Sequence, residues 1–191
     1  MTEPELIAAL QQNKAGAFSE LIELYQDHIV NTCYGFVRNQ ADAEDIAQEV
    51  FIEVFKAIDR FRSDAKISTW LYRIAVNKSL NFVKKRQRKI WLKSLQSVFS
   101  SEHEAHDVAD EQTPDPQMDL EQAERARILR QAIDSLAENQ KIAFHLSKFE
   151  GLSYKEIAEV MDTTVPAVES LLNRAKKSLQ KKLYAFYKNQ K

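Results

Sequence analysis

The sequence predicts an all-α protein, two small helical domains joined by a flexible acidic linker, and three observations carry that prediction. Apolar residues recur at spacings of three and four through nearly every segment outside one central tract, as in helices with a single buried side. A hydroxyl followed three residues later by a carboxylate, the mark of a helix start, occurs at Thr2 and Glu5, Ser135 and Glu138, and Ser153 and Glu156. The central tract is different: from Ser94 to Glu124 there are nine acids and no Lys or Arg, and SSEHEAHDVADEQTPDPQ within it has two prolines and no helical period. The expected division is a first domain at 1–92, a linker at 93–118 and a second domain at 119–191.

Composition removes several function classes. The three glycines, Gly16, Gly35 and Gly151, stand isolated, so neither a dinucleotide fingerprint nor a phosphate-cradling loop is possible. Cys33 is the single cysteine, which forbids an internal disulfide and a CxxC motif, and in its apolar run it reads as a small buried side chain. The N-terminus carries acids and a Thr-Glu-Pro start rather than a basic segment and an apolar core, and no run approaches the roughly 18 apolar residues of a membrane span. A cytoplasmic protein with no membrane insertion is expected. Net charge is −1, yet it is strongly segregated along the chain, so its pattern carries more information than its sum.

In chain order, Thr2 and Glu5 cap a first helix to about Gln12, and Ala17 to Arg38 forms a second with Phe18, Leu21, Ile22, Tyr25, Ile29 and Cys33 at helical spacing. Asp42 opens a third, with Ala43, Ala47, Val50, Phe51, Val54 and Ile58 inward and Asp42, Asp45, Glu49 and Glu53 on one outward stripe. Like charges four apart repel by a few tenths of a kcal/mol. A basic partner would relieve that cost, and a solvated acidic face is the plainer alternative.

FRSDAKIS signals a loop, after which Ser68 or Thr69 caps a helix to about Arg88. Along it Trp70, Arg73, Asn77, Asn81, Lys84 and Arg88 form one stripe of an aromatic, two amides and three cations. Rings and guanidinium planes stack on bases, amides bond base edges, and cations follow phosphates. Trp70 belongs either to that stripe or to the core.

Beyond the linker, where His103, His106, Asp107 and Asp110 make only a poor metal site, helical spacing resumes near Met118. Ser135 and Glu138 start a helix over Asn139 to Glu150, which Gly151 stops, and Ser153 and Glu156 start a short one with Ile157, Ala158 and Met161 inward. Asp162, Thr163 and Thr164 then turn the chain, and Pro166 fits only the first turn of the next helix. Val168, Leu171, Leu172, Ala175, Leu179 and Leu183 face inward there, while Glu169, Ser170, Asn173 and Lys177 face outward. From Arg174 onward seven Lys or Arg occur with no acid. Two helices, a tight turn and a basic run suit a helix-turn-helix that enters a major groove, with an ordinary helical hairpin as the alternative.

These residues resemble a known family, the extracytoplasmic-function sigma factors of bacterial RNA polymerase. DAEDIAQEVFIEVF is similar to the family's region 2.2, FRSDAKISTWLYRIAVNKSLNFV to regions 2.3 and 2.4, and SLAENQKIAFHLSKFEGLSYKEIAEVM with the following helix to region 4. The resemblance implies a promoter-specificity subunit that binds core RNA polymerase and promoter DNA, has no catalytic residue or cofactor, and meets an anti-sigma factor. It places core binding on Asp42, Asp45, Gln48, Glu49 and Glu53. It places minus-10 recognition and melting on Phe61, Arg62, Ser68, Trp70, Arg73, Asn77, Asn81, Lys84 and Arg88, with a flipped base held by the stretch Phe61 to Ser68 and by Asn77 and Asn81. Minus-35 recognition falls to Thr164, Val165, Pro166, Glu169, Ser170, Asn173, Arg174 and Lys177. Many family members carry a small residue in place of Pro166 and basic ones in place of Glu169 and Leu171, so the promoter sequence stays open. Glu169 either accepts from a cytosine amino group or simply suits a helix first turn.

Two further readings remain beside this one. A free-standing helix-turn-helix regulator would bind a palindromic duplex as a dimer, without polymerase. A metal-dependent hydrolase built around His103 would need a paired-ligand helix, and the sequence has no HExxH.

Overall fold

The structure, a computed structural model, describes residues 2–61, 65–99 and 120–188. Among the described residues there are eight α-helices and no strand. The chain divides into two compact units, Met1–Glu111 and Gln112–Lys191.

In the first unit α1 spans Glu3–Gln11, α2 Ala17–Val37, α3 Gln40–Ala57 and α4 Ile67–Phe99, with a 3-10 turn at Ile58–Arg60. α1 starts as its sequence requires: Glu5 Oε2 accepts from the Thr2 N–H at 2.8 Å. That backbone bond is the first cause holding the Glu5 carboxyl below its ordinary value. α2 ends on Arg38, whose φ of 59° is left-handed. α3 opens two residues before Asp42, because Asn39 Oδ1 accepts from the Asp42 N–H at 2.9 Å and makes Asn39 the cap.

The core of this unit is a three-helix contact. Leu21, Ile29 and Cys33 of α2, Ala43, Val50 and Val54 of α3, and Ile67, Leu71 and Ala75 of α4 are fully buried. Burying each of the larger aliphatic side chains contributes about 1.5–3 kcal/mol, enough to override the weak helix propensity of the β-branched residues among them. α4 differs from expectation at both ends. It begins at Ile67, ahead of Ser68 and Thr69, since the Ile67 N–H is bonded by Glu3 Oε1 of α1 at 2.7 Å. It also continues past Arg88 to Phe99, as no Gly or Pro interrupts KIWLKSLQSVF. The acidic tract at 100–119, with His103, His106, Asp107 and Asp110, lies outside the described residues.

The second unit holds α5 Leu120–Asp134, α6 Glu138–Lys148, α7 Tyr154–Val160 and α8 Val165–Lys188. Ala132, Ile133, Leu136, Ala175 and Leu179 form a buried cluster against which Phe144 and Leu183 pack. Leu146, Ile157 and Val168 are also fully buried and tie α6, α7 and α8 together. Ser135 does not cap α6: its hydroxyl donates to the Ala132 carbonyl at 2.6 Å, back into α5, and Ala137 is the residue that precedes α6. A serine immediately after a helix satisfies that helix's orphan carbonyls as readily as the next helix's amides. At the other end of α6, Gly151 takes a φ of 66°, and the Leu152 N–H closes back on the Leu146 carbonyl at 3.0 Å.

Candidate nucleic-acid interface

From Arg73 onward the α4 stripe is outward. Arg73, Asn77, Asn81, Lys84 and Arg88 are exposed, and at 1.5 Å per residue Trp70 to Arg88 spans about 27 Å. Trp70 is half-buried, stacked on Phe61 with ring centroids 5.0 Å apart and planes at 23°. It thus belongs to the stripe and to the edge of the core at once. The two stacked residues also help line a cavity of about 300 Å³, whose lining is Ala57, Arg60, Phe61, Ala65, Thr69, Trp70 and Arg73. Aromatic faces, cations and a hydroxyl in one small recess are the chemistry that holds an unstacked base. Thr69 is buried, and its Oγ1 has no hydrogen-bond partner among the described residues. Ser68 is half-buried beside it, and Arg62 lies outside the described residues.

On α3 the acidic stripe is partly neutralised from within. Lys78 Nζ of α4 lies 3.3 Å from Glu49 Oε2 and 3.0 Å from Glu53 Oε2, and Arg86 lies 3.7 Å from Asp42. Burial alone pulls the Lys78 ammonium down, but its hydrogen bonds to Glu53 and Glu49 and their charges outweigh that and hold it above its ordinary value. Asp45 and Gln48 remain exposed on the same helix.

Gln48 also lines a groove of about 690 Å³ between α2 and α3, whose apolar floor includes Phe18, Ile22, Phe51 and Ile52. Ile52 is 51% exposed, and Phe55, packed edge-on against Phe18 at 5.1 Å, is 56% exposed. Neither was among the residues expected to face outward for a purpose. Their signal in the sequence was an apolar pair off the buried period of α3.

In the second unit α7 and α8 form the hairpin that the sequence expects. Ser153 accepts from the Glu156 N–H at 3.3 Å and Glu156 Oε2 accepts from the Ser153 N–H at 2.9 Å, the reciprocal capping box. The turn passes through Asp162 at a φ of 51°, with the Thr163 N–H bonded to the Ala158 carbonyl at 2.9 Å. Thr164 Oγ1 accepts from the Ala167 N–H at 3.4 Å and opens α8. Pro166 sits in the first turn, where no intrahelical N–H is needed.

Thr164, Val165, Pro166, Glu169, Asn173, Arg174 and Lys177 are all exposed and Ser170 is half-buried. They occupy the first part of α8, about 20 Å long. Val168, Ala175 and Leu179 hold the opposite side in the core. Such a helix, presented with a polar and basic face, fits a major groove about 12 Å wide.

Known proteins place this arrangement. The sigma-70 region 2 family matches residues 21–89, and the sigma-70 region 4 family matches residues 126–179. The ECF RNA polymerase sigma-E factor of Haemophilus influenzae is 33% identical over 187 residues, which cover 96% of each chain. The RNA polymerase sigma-H factor of Pseudomonas aeruginosa is 34% identical over 185 residues, 95% of this chain and 93% of the relative. A solved structure of the sigma factor RpoE with the anti-sigma factor NepR from Bartonella quintana shares the fold, with a TM-score of 0.66 and 20% identity over 89% of this chain and 98% of that one. On the two matched regions and the near full-length relatives, the chain belongs to the extracytoplasmic-function sigma factors of the sigma-70 family.

Proposed function

We propose that this sigma factor divides its work among three surfaces. Residues 1–92 form the domain that binds core RNA polymerase and reads and melts the minus-10 element. Residues 119–191 form the domain that reads the minus-35 element, and 93–118 link the two. Core polymerase docks along α3, with Asp42, Asp45, Gln48, Glu49 and Glu53 meeting a basic surface and the apolar groove beside Gln48 accepting uncharged side chains. Phe61, Arg62, Ser68, Trp70 and the α4 stripe to Arg88 capture the melted strand, one base entering the cavity that Phe61 and Trp70 line. Thr164, Val165, Pro166, Glu169, Ser170, Asn173, Arg174 and Lys177 of α8 take the duplex major groove. No bond is made or broken by the protein itself, and its place of action is the cytoplasm. The Bartonella quintana sigma factor is in complex with an anti-sigma factor, and a partner of that kind would act on this chain by covering these surfaces.

The observation that carries the reading is the co-occurrence, on one short unit, of a mixed aromatic, amide and cationic stripe on α4 with an acidic and apolar face on α3. A single unit with those two faces suits simultaneous contact with DNA and with a protein. Charge reversal by Asp45→Lys with Glu49→Lys is expected to abolish copurification with core polymerase while leaving the helical content intact. Undiminished copurification would remove the α3 assignment.

A further inference from the structure

Glu3 and Gln11 lie on α1, which carries none of the residues assigned above, yet each reaches across more than forty residues of sequence to the neighbourhood of Phe61 and α4. Gln11 Nε2 donates to the Phe61 carbonyl at 2.9 Å and to the Ile58 carbonyl at 3.4 Å. Glu3 Oε1 accepts from the Ile67 N–H at 2.7 Å. These are the two ends of the stretch from Phe61 to Ile67. The first amide of α4 has no intrahelical acceptor, and Glu3 supplies one; Gln11 bonds the Phe61 carbonyl and shares the Ile58 carbonyl, which also accepts from the Phe61 N–H at 3.0 Å.

A carboxylate at the N-terminus of α4 is also favoured by that helix's dipole. α1 has a firm seat of its own, since Leu6, Ile7, Ala9 and Leu10 are buried. Tyr25 lies close to the same corner: its hydroxyl is raised above its ordinary value by burial and then by the Glu3 charge, with Lys66 opposing.

Phe61 carries one anchored carbonyl, and its ring stacks on Trp70, both of them lining the cavity. Three residues beyond Ile67, Trp70 is the other half of that stack. Releasing either anchor therefore loosens one half of the stack. We propose that Glu3 and Gln11 are positioning residues for base recognition, holding Phe61 and the start of α4 so that the cavity is formed before DNA arrives. Preorganisation of this kind removes an ordering cost from the binding step. The proposal rests on the reading of that cavity as the minus-10 base site.

The test uses the full chain with core polymerase, a promoter library randomised across the minus-10 element, and a measurement of promoter opening. Gln11→Glu keeps the size and replaces the N–H donor by a carboxylate facing two carbonyls, whereas Gln11→Lys restores a donor. Gln11→Glu is expected to slow opening about tenfold and to flatten base preference at one minus-10 position, since a carboxylate facing a part-buried carbonyl in place of an N–H donor costs about that much. Minus-35 preference and assembly with core polymerase should hold within about twofold, and Gln11→Lys should recover most of the opening. Glu3→Gln, which still accepts a hydrogen bond but without charge, should show a smaller change at the same position. If Gln11→Glu melts early, Glu3→Gln decides by the same readout.

Wild-type opening and preference in both variants would overturn the proposal, as would equal losses at both promoter elements in step with lost assembly. The underlying function fails in a different way: the wild-type holoenzyme would then open no promoter in the library.

Discussion

Lys78 offers a quantitative test of what the acidic face of α3 is for. Its ammonium reaches both Glu49 and Glu53. Those carboxylates are four residues apart on α3, so they also repel one another. Lys78→Met keeps the aliphatic stem and removes the charge. Two exposed pairs of this kind contribute about 0.2–1 kcal/mol each, and the unmasked repulsion adds a few tenths. A loss of about 1 kcal/mol in the first unit is the expected result by urea unfolding. It should shrink at 1 M salt, where the screening length falls to about 3 Å.

Assembly should respond in the opposite sense. If Glu49 and Glu53 serve a basic surface on core polymerase, Lys78 competes with that surface, and its removal should tighten assembly up to about fivefold at low salt. Fluorescence titration of core polymerase with the two proteins measures this directly. Unchanged or weaker assembly at low salt would refute the reasoning, because the stripe would then be a face satisfied within the chain.

Two more outcomes follow from the same structure. The Lys78 ammonium stands above its ordinary value of 10.5 and the Tyr25 hydroxyl above 10.0, so both contribute stability that is fully present below those values and is lost as pH rises through the folded ones. A thermal melt of the first unit should therefore fall on raising the pH above 10.0, less steeply in Lys78→Met; an unchanged slope in that variant would contradict the bridge. In the second unit, Lys177→Ala should weaken duplex binding by the holoenzyme uniformly across sequences and reduce the slope of log affinity against log salt by about 0.9, the signature of one lost phosphate contact. A change confined to particular sequences would make Lys177 a base reader.

Much of the architecture was legible from one dimension because it rests on local rules. Ser153 and Glu156, Gly151, Pro166 and the apolar period from Val168 to Leu179 each act within a few residues, and α7 and α8 appear where those signals place them. The outward stripe from Arg73 to Arg88 follows for the same reason: once Leu71 and Ala75 are inward, the opposite positions are fixed.

What was not legible depends on residues far apart in sequence. The partners of the acidic stripe, Lys78 and Arg86, come from another helix, and α4 takes its cap from Glu3 rather than from Ser68 or Thr69. Gln11 looks like any surface glutamine until the fold brings Phe61 to it. Local ambiguity accounts for the remaining differences. Asn39 and Asp42 are both good caps, as Ser135 is for α6, and the backbone turn decided between Asn39 and Asp42 and sent Ser135 back to α5. The groove lined by Ile52 has a visible trace in the sequence, since Ile52 and the nearby Phe55 are two apolar residues off the buried period of α3.

The central claim, that this chain gives core RNA polymerase its promoter preference through two elements, is tested most directly by selecting transcribed promoters from a random DNA library with the purified protein and core enzyme. Start sites sharing two upstream boxes are the expected result, with the nearer box lost on Asn77→Ala and the farther one lost on deletion of residues 149–183. Transcripts with no shared boxes, or boxes unaffected by both changes, would contradict it.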